Sequence, residues 1–291
     1  MIVGGNETVL VQGITGKQGT FWAERMRDYG TRIVGGVNPK KAGSEHIGLP
    51  VWGSAKEAAA SQPIDVSVLF IPPMAVKAAV LDAVEAGVGT VVVLTEHIPS
   101  HDVMHFLAAA REAGTCVIGP NTAGLVTPGQ SFVGFMPAFN ERIFRPGRVG
   151  VISRSGSLGT LIALNLVQGG HGISAFIGIG GDPILGTTTR DALVRLDQDP
   201  NTDAVVIVGE IGGAMEEEAA DYAHGMSKPM AAFIAGAASP PGKKMGHAGA
   251  IVMGDKGTYG AKREALEAAG VRVVPSPSMI ADALGEAMGA V

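Results

Sequence analysis

The chain has 291 residues, 46% hydrophobic and 17% charged, a globular make-up with room for one large domain or two of ordinary size. That composition excludes disorder, and a net charge of -5 argues against a nucleic-acid surface. The single cysteine, Cys116, excludes an internal disulfide and a cysteine-cluster metal site, while no apolar run is long enough for a membrane span. No basic segment precedes a long apolar core at the start, so the expectation is a cytoplasmic protein without nucleic-acid or membrane partners.

Strands are predicted at 8–13, 32–37, 66–72, 90–96 and 116–120, with amphipathic helices such as 74–87 and 103–114 between them. Apolar runs bounded by turn residues and alternating with helices mean parallel strands buried on both faces. The stretch from Val126 to Gly147 breaks this rhythm with three prolines and reads as the crossing between two domains. The alternation restarts at 148–153, 173–180, 204–210, 230–236 and 271–275. The expected fold is α/β with two doubly wound domains, 1–125 Rossmann-like and 126–291 flavodoxin-like. Ligands bind such sheets at the carboxyl ends of the strands, so the residues following each strand carry the functional reading.

After the first strand comes Gly13-Ile14-Thr15-Gly16-Lys17-Gln18-Gly19, then a helical run. Glycines there allow a tight turn and bring backbone N–H groups and a helix N-terminus to a pyrophosphate. The spacing is GxxGxxG, not GxGxxG, and a plain strand–helix turn would look the same. The second strand lacks the acid that an NAD site places at its end. It offers Asn38, Pro39, Lys40 and Lys41 instead, which suit a phosphorylated ribose, that of NADP or of coenzyme A, or else form a solvated turn.

In the second half, Ser153-Arg154-Ser155-Gly156-Ser157-Leu158 forms a strand–helix junction: either an anion site or an ordinary N-cap. It lacks the G-x-S-x-G frame of a nucleophile elbow. Glu210 ends a strand between glycines and points into the crevice, while Glu216 to Glu218 read as acids decorating an exposed helix start. His247 lies on a small-residue loop, "GKKMGHAGAI" (242–251). Set beside Glu210, it would have one ring nitrogen fixed by the carboxylate and the other free as a nucleophile toward a phosphoryl group. His101 and His105 have a zinc-compatible spacing without a third ligand; His46, His97, His171 and His224 read as turn or surface residues, with His97 following the strand-end acid Glu96.

At this point the chain resembles the α subunit of succinate–CoA ligase (succinyl-CoA synthetase), with its malate–CoA ligase-type relatives, from about Val9 to Ala283. The resemblance rests on "QGITGKQGTF", "YGTRIVGGVNPKKAG", "GLPVW", "GPN", "SRSGSL", "GIGGDPI", "GEIGG", "PGKKMGHAGAI" and "ALEAAGV". It implies coenzyme A at Thr15, Gly16, Lys17 and Gln18, with Lys41 at the phosphate end. Phe70, Ile71 and Pro72, together with Leu94, Thr95 and Glu96, would line the CoA site. His247 would be the transiently phosphorylated histidine, Glu210 its holder, and Ser155, Gly156 and Ser157 the phosphate cradle. The implied reaction joins a carboxylic acid to CoA with ATP or GTP and Mg2+, through an acyl phosphate and the phosphohistidine. A β subunit with an ATP-grasp domain would supply most of the nucleotide site, as αβ or α2β2.

Two departures bear on the acid. The family's "NCPG" is here Asn121-Thr122-Ala123-Gly124, and Thr160 replaces a tyrosine; the resemblance places Asn121, Thr122, Ala123 and Thr160 near the substrate pocket. The expectation is succinate or a smaller or more polar acid such as malate. Competing readings are a citryl-CoA synthetase small subunit, a non-catalytic CoA-binding regulator and an NADP dehydrogenase. The related lyase is disfavoured because no citrate-synthase-like extension follows Val291, and a mere binder needs neither His247 nor Glu210.

Overall fold

The computed structural model describes residues 1–239, 246–252 and 257–289. In the first half, β1 (Thr8–Gln12), β2 (Arg32–Val37), β3 (Glu45–His46), β4 (Leu49–Trp52), β5 (Val66–Leu69), β6 (Thr90–Val93) and β7 (Cys116–Ile118) form one sheet. Its order is β3-β4-β2-β1-β5-β6-β7, parallel except for the β3–β4 pair. The helices are α1 (Lys17–Tyr29), α2 (Ala55–Ser61), α3 (Pro73–Glu85) and α4 (Ser100–Ala113). Strands β1, β5 and β6 are buried along their whole length, as continuous apolar runs require when helices cover both faces.

The second sheet contains β8 (Gly124–Thr127), β9 (Ser131–Gly134), β10 (Pro146–Ser153), β11 (Ile173–Gly178), β12 (Ala204–Glu210), β13 (Met230–Ala235) and β14 (Arg272–Val274). Its order is β14-β13-β12-β10-β11-β8-β9, with α5 (Gly156–Gln168), α6 (Thr189–Asp197), α7 (Met215–Ala223), α8 (Tyr259–Ala268) and α9 (Ile280–Ala287) around it. This corrects the reading of 126–147 as a bare crossing. β8 and β9 pair antiparallel with each other, and β8 pairs antiparallel with β11, extending the second sheet at its edge. Four-residue strands split by a Pro-Gly turn present too short a period to be seen in the sequence.

This hairpin docks the two halves. Thr31 at the end of α1 exchanges hydrogen bonds with Phe132 of β9, Oγ1 donating to its carbonyl at 2.7 Å and accepting its N–H at 3.1 Å. Tyr29 and Trp22 meet the Phe132 ring edge-on. One buried apolar cluster therefore runs from Val9 and Val11 of β1 through Phe132 to the strands of the second sheet.

The chain order reverses between β1 and β5 in the first sheet and between β10 and β12 in the second. Such switch points open a crevice at the carboxyl ends of the strands. Gly13 follows β1 at one; Arg154 and Glu210 flank the other.

Candidate active site

The first crevice is built by the glycine turn. Gly13 has φ +83, and a Cβ there would run into the Phe70 carbonyl; one on Gly19 would run into the Gly13 carbonyl. The turn thus closes against β5 and starts α1 at Lys17, with Gly16 as its N-cap and no side chain over the first N–H groups. Asn38 holds the turn from the second strand, its Nδ2 donating to Thr15 Oγ1 at 2.6 Å.

Two cavities open on either side. One, of about 720 Å3, is lined by Thr15, Gly16, Asn38, Lys41, Ser54 and the alanines of α3. The other, of about 880 Å3, is lined by Lys17, Gln18, Trp22, Leu94, Thr95, Glu96, Asn121 and Phe135. Gly16, Phe70, Ile71 and Pro72 border both. All ten residues expected at the cofactor therefore line a trough made of these two adjoining cavities, which share a border over the N-terminus of α1. Its chemistry, free N–H groups and a lysine at one end with apolar walls between, suits a long ligand with a phosphorylated head.

Asn121 connects this trough to the second sheet. It sits at φ +55, a conformation that asparagine tolerates better than most residues. Its N–H donates to Thr95 O at 3.0 Å, its carbonyl accepts Gly181 N–H at 3.1 Å, and its Nδ2 donates to Asp182 Oδ1 at 2.9 Å. The other three residues expected near the acid behave differently. Thr122 is buried, its hydroxyl donating to Gly178 O and accepting Gly124 N–H. Ala123 is buried against Gly156, where an added Cβ would lie 2.7 Å from the Ala123 Cβ. Thr160 Oγ1 donates back to Gly156 O at 2.8 Å, so its hydroxyl is turned onto its own helix. Of the four, Asn121 alone borders the trough.

At the second crevice, Ser155 caps α5, its Oγ accepting the Leu158 N–H at 3.3 Å. Gly156 and Ser157 form the first turn, with Ser157 exposed. Across the switch point, Glu210 Oε2 lies 2.8 Å from His247 Nδ1, and Gly181 supplies the floor under the imidazole: a Cβ there would sit 2.5 Å from His247 Cγ. Part of the loop that raised this expectation, residues 240–245, lies outside the described residues. The His247 pKa is raised above its ordinary 6.5, first by the hydrogen bond to Glu210. Burial works against this, the Glu210 charge adds to it, Arg154 opposes it and Asp182 adds a further push upward.

Sequence reasoning missed Arg154. It is 2% exposed, its Nη2 3.2 Å from Glu210 Oε1, paired by charge although off the line of a hydrogen bond. Its Nη1 donates to Gly212 O at 3.1 Å. The "decorating" acids need correction too. Glu218 is exposed, but Glu216 is fully buried, bonded to the equally buried Lys262 and 3.7 Å from Arg154 Nη1. The signal for an exposed helix start was real; what overrode it is a lysine 46 residues downstream. His46 is half-buried and bonded to Thr20, not a free turn residue. His101 and His105 lie on α4, and among the described residues no three His, Cys, Asp or Glu side chains cluster as a metal would need. No described helix is long and apolar enough to cross a membrane.

A glycine turn with free N–H groups at one switch point, and a histidine–carboxylate pair beside a capped helix at the other, define a two-site α/β protein suited to anionic ligands. The comparisons agree: residues 5–97 match the CoA binding domain and residues 152–272 the CoA-ligase domain. The ADP-forming succinate–CoA ligase α subunit of Methanothermobacter thermautotrophicus is 49% identical over 280 residues, 96% of this chain and 94% of its own. The malate–CoA ligase α subunit of Methylorubrum extorquens is 43% identical over 288 residues, 96% of each. Among solved structures, an ATP citrate lyase from Methanosaeta concilii in complex with (3S)-citryl-CoA superposes with TM-score 0.88 at 27% identity; it covers 99% of this chain, which spans 50% of that one. The chain belongs to the succinate–CoA ligase α-subunit family of ADP-forming acid–CoA ligases.

Proposed function

We propose that this chain is the α subunit of a ligase that couples acid + CoA + ATP to acyl-CoA + ADP + phosphate, with His247 as the phosphoryl carrier. The observation that carries this reading is the 2.8 Å contact between His247 Nδ1 and Glu210. With Nδ1–H donated to the carboxylate, the lone pair rests on Nε2, the nitrogen able to attack phosphorus. The free N–H groups at the start of α5, beside Ser155, Gly156 and Ser157, suit the phosphoryl oxygens. Nε2 would attack the γ-phosphorus of ATP, with ADP leaving. The P–N bond would then break as the carboxylate of the acid takes the phosphoryl group to form the acyl phosphate, and the CoA thiol would attack the acyl carbon with release of phosphate. CoA supplies the thiol nucleophile; Thr15, Gly16, Lys17, Gln18 and Lys41 would hold its phosphates, and Ile71, Pro72, Leu94, Thr95 and Glu96 its chain. Residues 1–125 would thus hold CoA and residues 126–291 the phosphoryl group.

A β subunit with an ATP-grasp domain would bring ATP and Mg2+, as αβ or α2β2, in the cytoplasm where acid, CoA and nucleotide meet. GTP is the alternative nucleotide. For the acid, Asn121 keeps the asparagine of the family motif, while Thr122 and Ala123 stand in place of its Cys-Pro pair and Thr160 in place of its tyrosine. We place malate or another small substituted acid ahead of succinate. The fold likeness to the citrate lyase keeps citrate, the substrate of the citryl-CoA synthetase reading, in the panel.

The test uses the complex with its β subunit and γ-labelled ATP. Acid-labile, base-stable label on this chain is expected, absent in His247→Ala and discharged by CoA with the right acid. No label, in a complex that binds nucleotide, would overturn the reading in favour of a CoA-binding regulator. Comparing kcat/KM over succinate, malate and citrate then decides the acid, and a clear preference for succinate sinks the substituted-acid assignment.

A further inference from the structure

Behind His247 lies a line of charged side chains that the phosphoryl chemistry does not itself use. Lys262 and Glu216 are each 0% exposed, Arg154 2% and Glu210 7%. They come from α8, from α7, from the β10–α5 junction and from the end of β12. Lys262 Nζ bonds Glu216 Oε2 and also donates to Gly213 O and to Glu217 Oε2, both at 3.0 Å. Glu216 Oε1 accepts the backbone N–H of Glu210 at 3.3 Å and stands 3.7 Å from Arg154 Nη1. Arg154 in turn faces Glu210 Oε1 at 3.2 Å. Glu216 therefore holds Glu210 twice, directly at its main chain and through Arg154 at its side chain.

We propose that Glu216 and Lys262 are positioning residues for His247: the buried pair fixes Arg154 and the Glu210 backbone, and so fixes the carboxylate that aims the imidazole. The proposal rests on the phosphohistidine reading. Folding alone does not call for such a cluster, because apolar side chains of similar volume often replace a buried ion pair with equal or better stability. What apolar side chains cannot do is divide Arg154 between two carboxylates. With Glu216 in place, Arg154 is shared, and Glu210 keeps Oε2 for His247. Without it, Arg154 turns wholly to Glu210 and competes with the imidazole for the same charge. Among the described residues, the charged groups that act on His247 are Glu210, Arg154 and Asp182, and of these Arg154 is the cation that a lost neighbour could release.

The test uses the complex with its β subunit and the double variant Glu216→Gln/Lys262→Met, which removes both members of the pair together. We expect a folded complex with a CoA KM within about twofold of wild type and a His247 labelling rate lower by about 10-fold or more, as is usual when an orienting partner is lost. The midpoint of the labelling rate against pH should move down, since Glu210 then holds the imidazolium less. Glu216→Asp, which keeps every charge and withdraws the carboxylate by one methylene, should fold like wild type and label slowly; Lys262→Arg should retain most of the rate. A folded double variant, or a folded Glu216→Asp, with wild-type rate and midpoint would overturn the proposal. If the wild-type complex itself takes no label, the phosphohistidine reading falls instead. The NMR titration of His247 in histidine-labelled chain then still reads the clamp: an unchanged midpoint in the variants would sink it.

Discussion

Glu210 holds two partners of opposite consequence. Oε2 favours a protonated His247, while Arg154 at Oε1 draws the same charge away. The first effect is the larger, so the imidazole pKa stands above 6.5, and the sign of the pH dependence follows. His247 contributes stability that is fully present below about pH 6.5, the unfolded value, and is lost as pH rises through the raised folded value. The thermal midpoint of wild type minus that of His247→Gln should therefore be largest at acid pH and shrink with alkalinity; a gap that widens instead would contradict the pairing. Phosphoryl acceptance runs the other way, since Nε2 attacks only when unprotonated, so the labelling rate should climb through the same midpoint. At this scale the sequence was legible where chemistry is local. A histidine among glycines and an acid closing an apolar run mark themselves. Arg154 and Glu216 did not, because each lies in a motif with a satisfactory local meaning, and only the docking of α8 gives them another.

Helix α5 begins on Ser155, whose Oγ accepts the Leu158 N–H and lies 3.4 Å from Ser157 Oγ, and which has besides this capping task a proposed one at the phosphoryl group. Ser155→Ala separates them. Loss of an N-cap costs about 1 kcal/mol of stability, measurable by denaturant titration. The proposed role adds a drop in labelling rate that Ser155→Thr, which restores the cap, should largely reverse. A variant that loses stability but labels normally would leave the cap purely structural. The strand–helix alternation that delivers α5 to this place could be read from the chain, because buried parallel strands are long apolar runs. The β8–β9 hairpin could not: its strands borrow their apolar partners from α1 and β11, far away in sequence, and offer no periodicity of their own.

On the scale of the molecule, the two crevices open from two sheets that share one core, so the trough over α1 and the His247 face are held in fixed relation by the hairpin. Asn121 lines one cavity of the trough and Lys41 the other. If it meets the ribose phosphate of CoA, Lys41→Ala should weaken CoA by about 10-fold, the worth of one charged hydrogen bond, and leave dephospho-CoA unchanged; calorimetric titration of both ligands reads the difference. Equal weakening of the two would move that phosphate elsewhere. Asn121 has a further consequence. It borders the trough, and its amide is bonded to Asp182, whose charge reaches His247. Any occupant of the trough that draws this amide away alters the proton affinity of the imidazole. Thermodynamic linkage makes the relation mutual: the protonation state of His247 must then alter the affinity of that occupant by the same factor. Proton uptake on filling the trough and the pH dependence of its filling are two readings of one coupling free energy, passed through a single carboxamide.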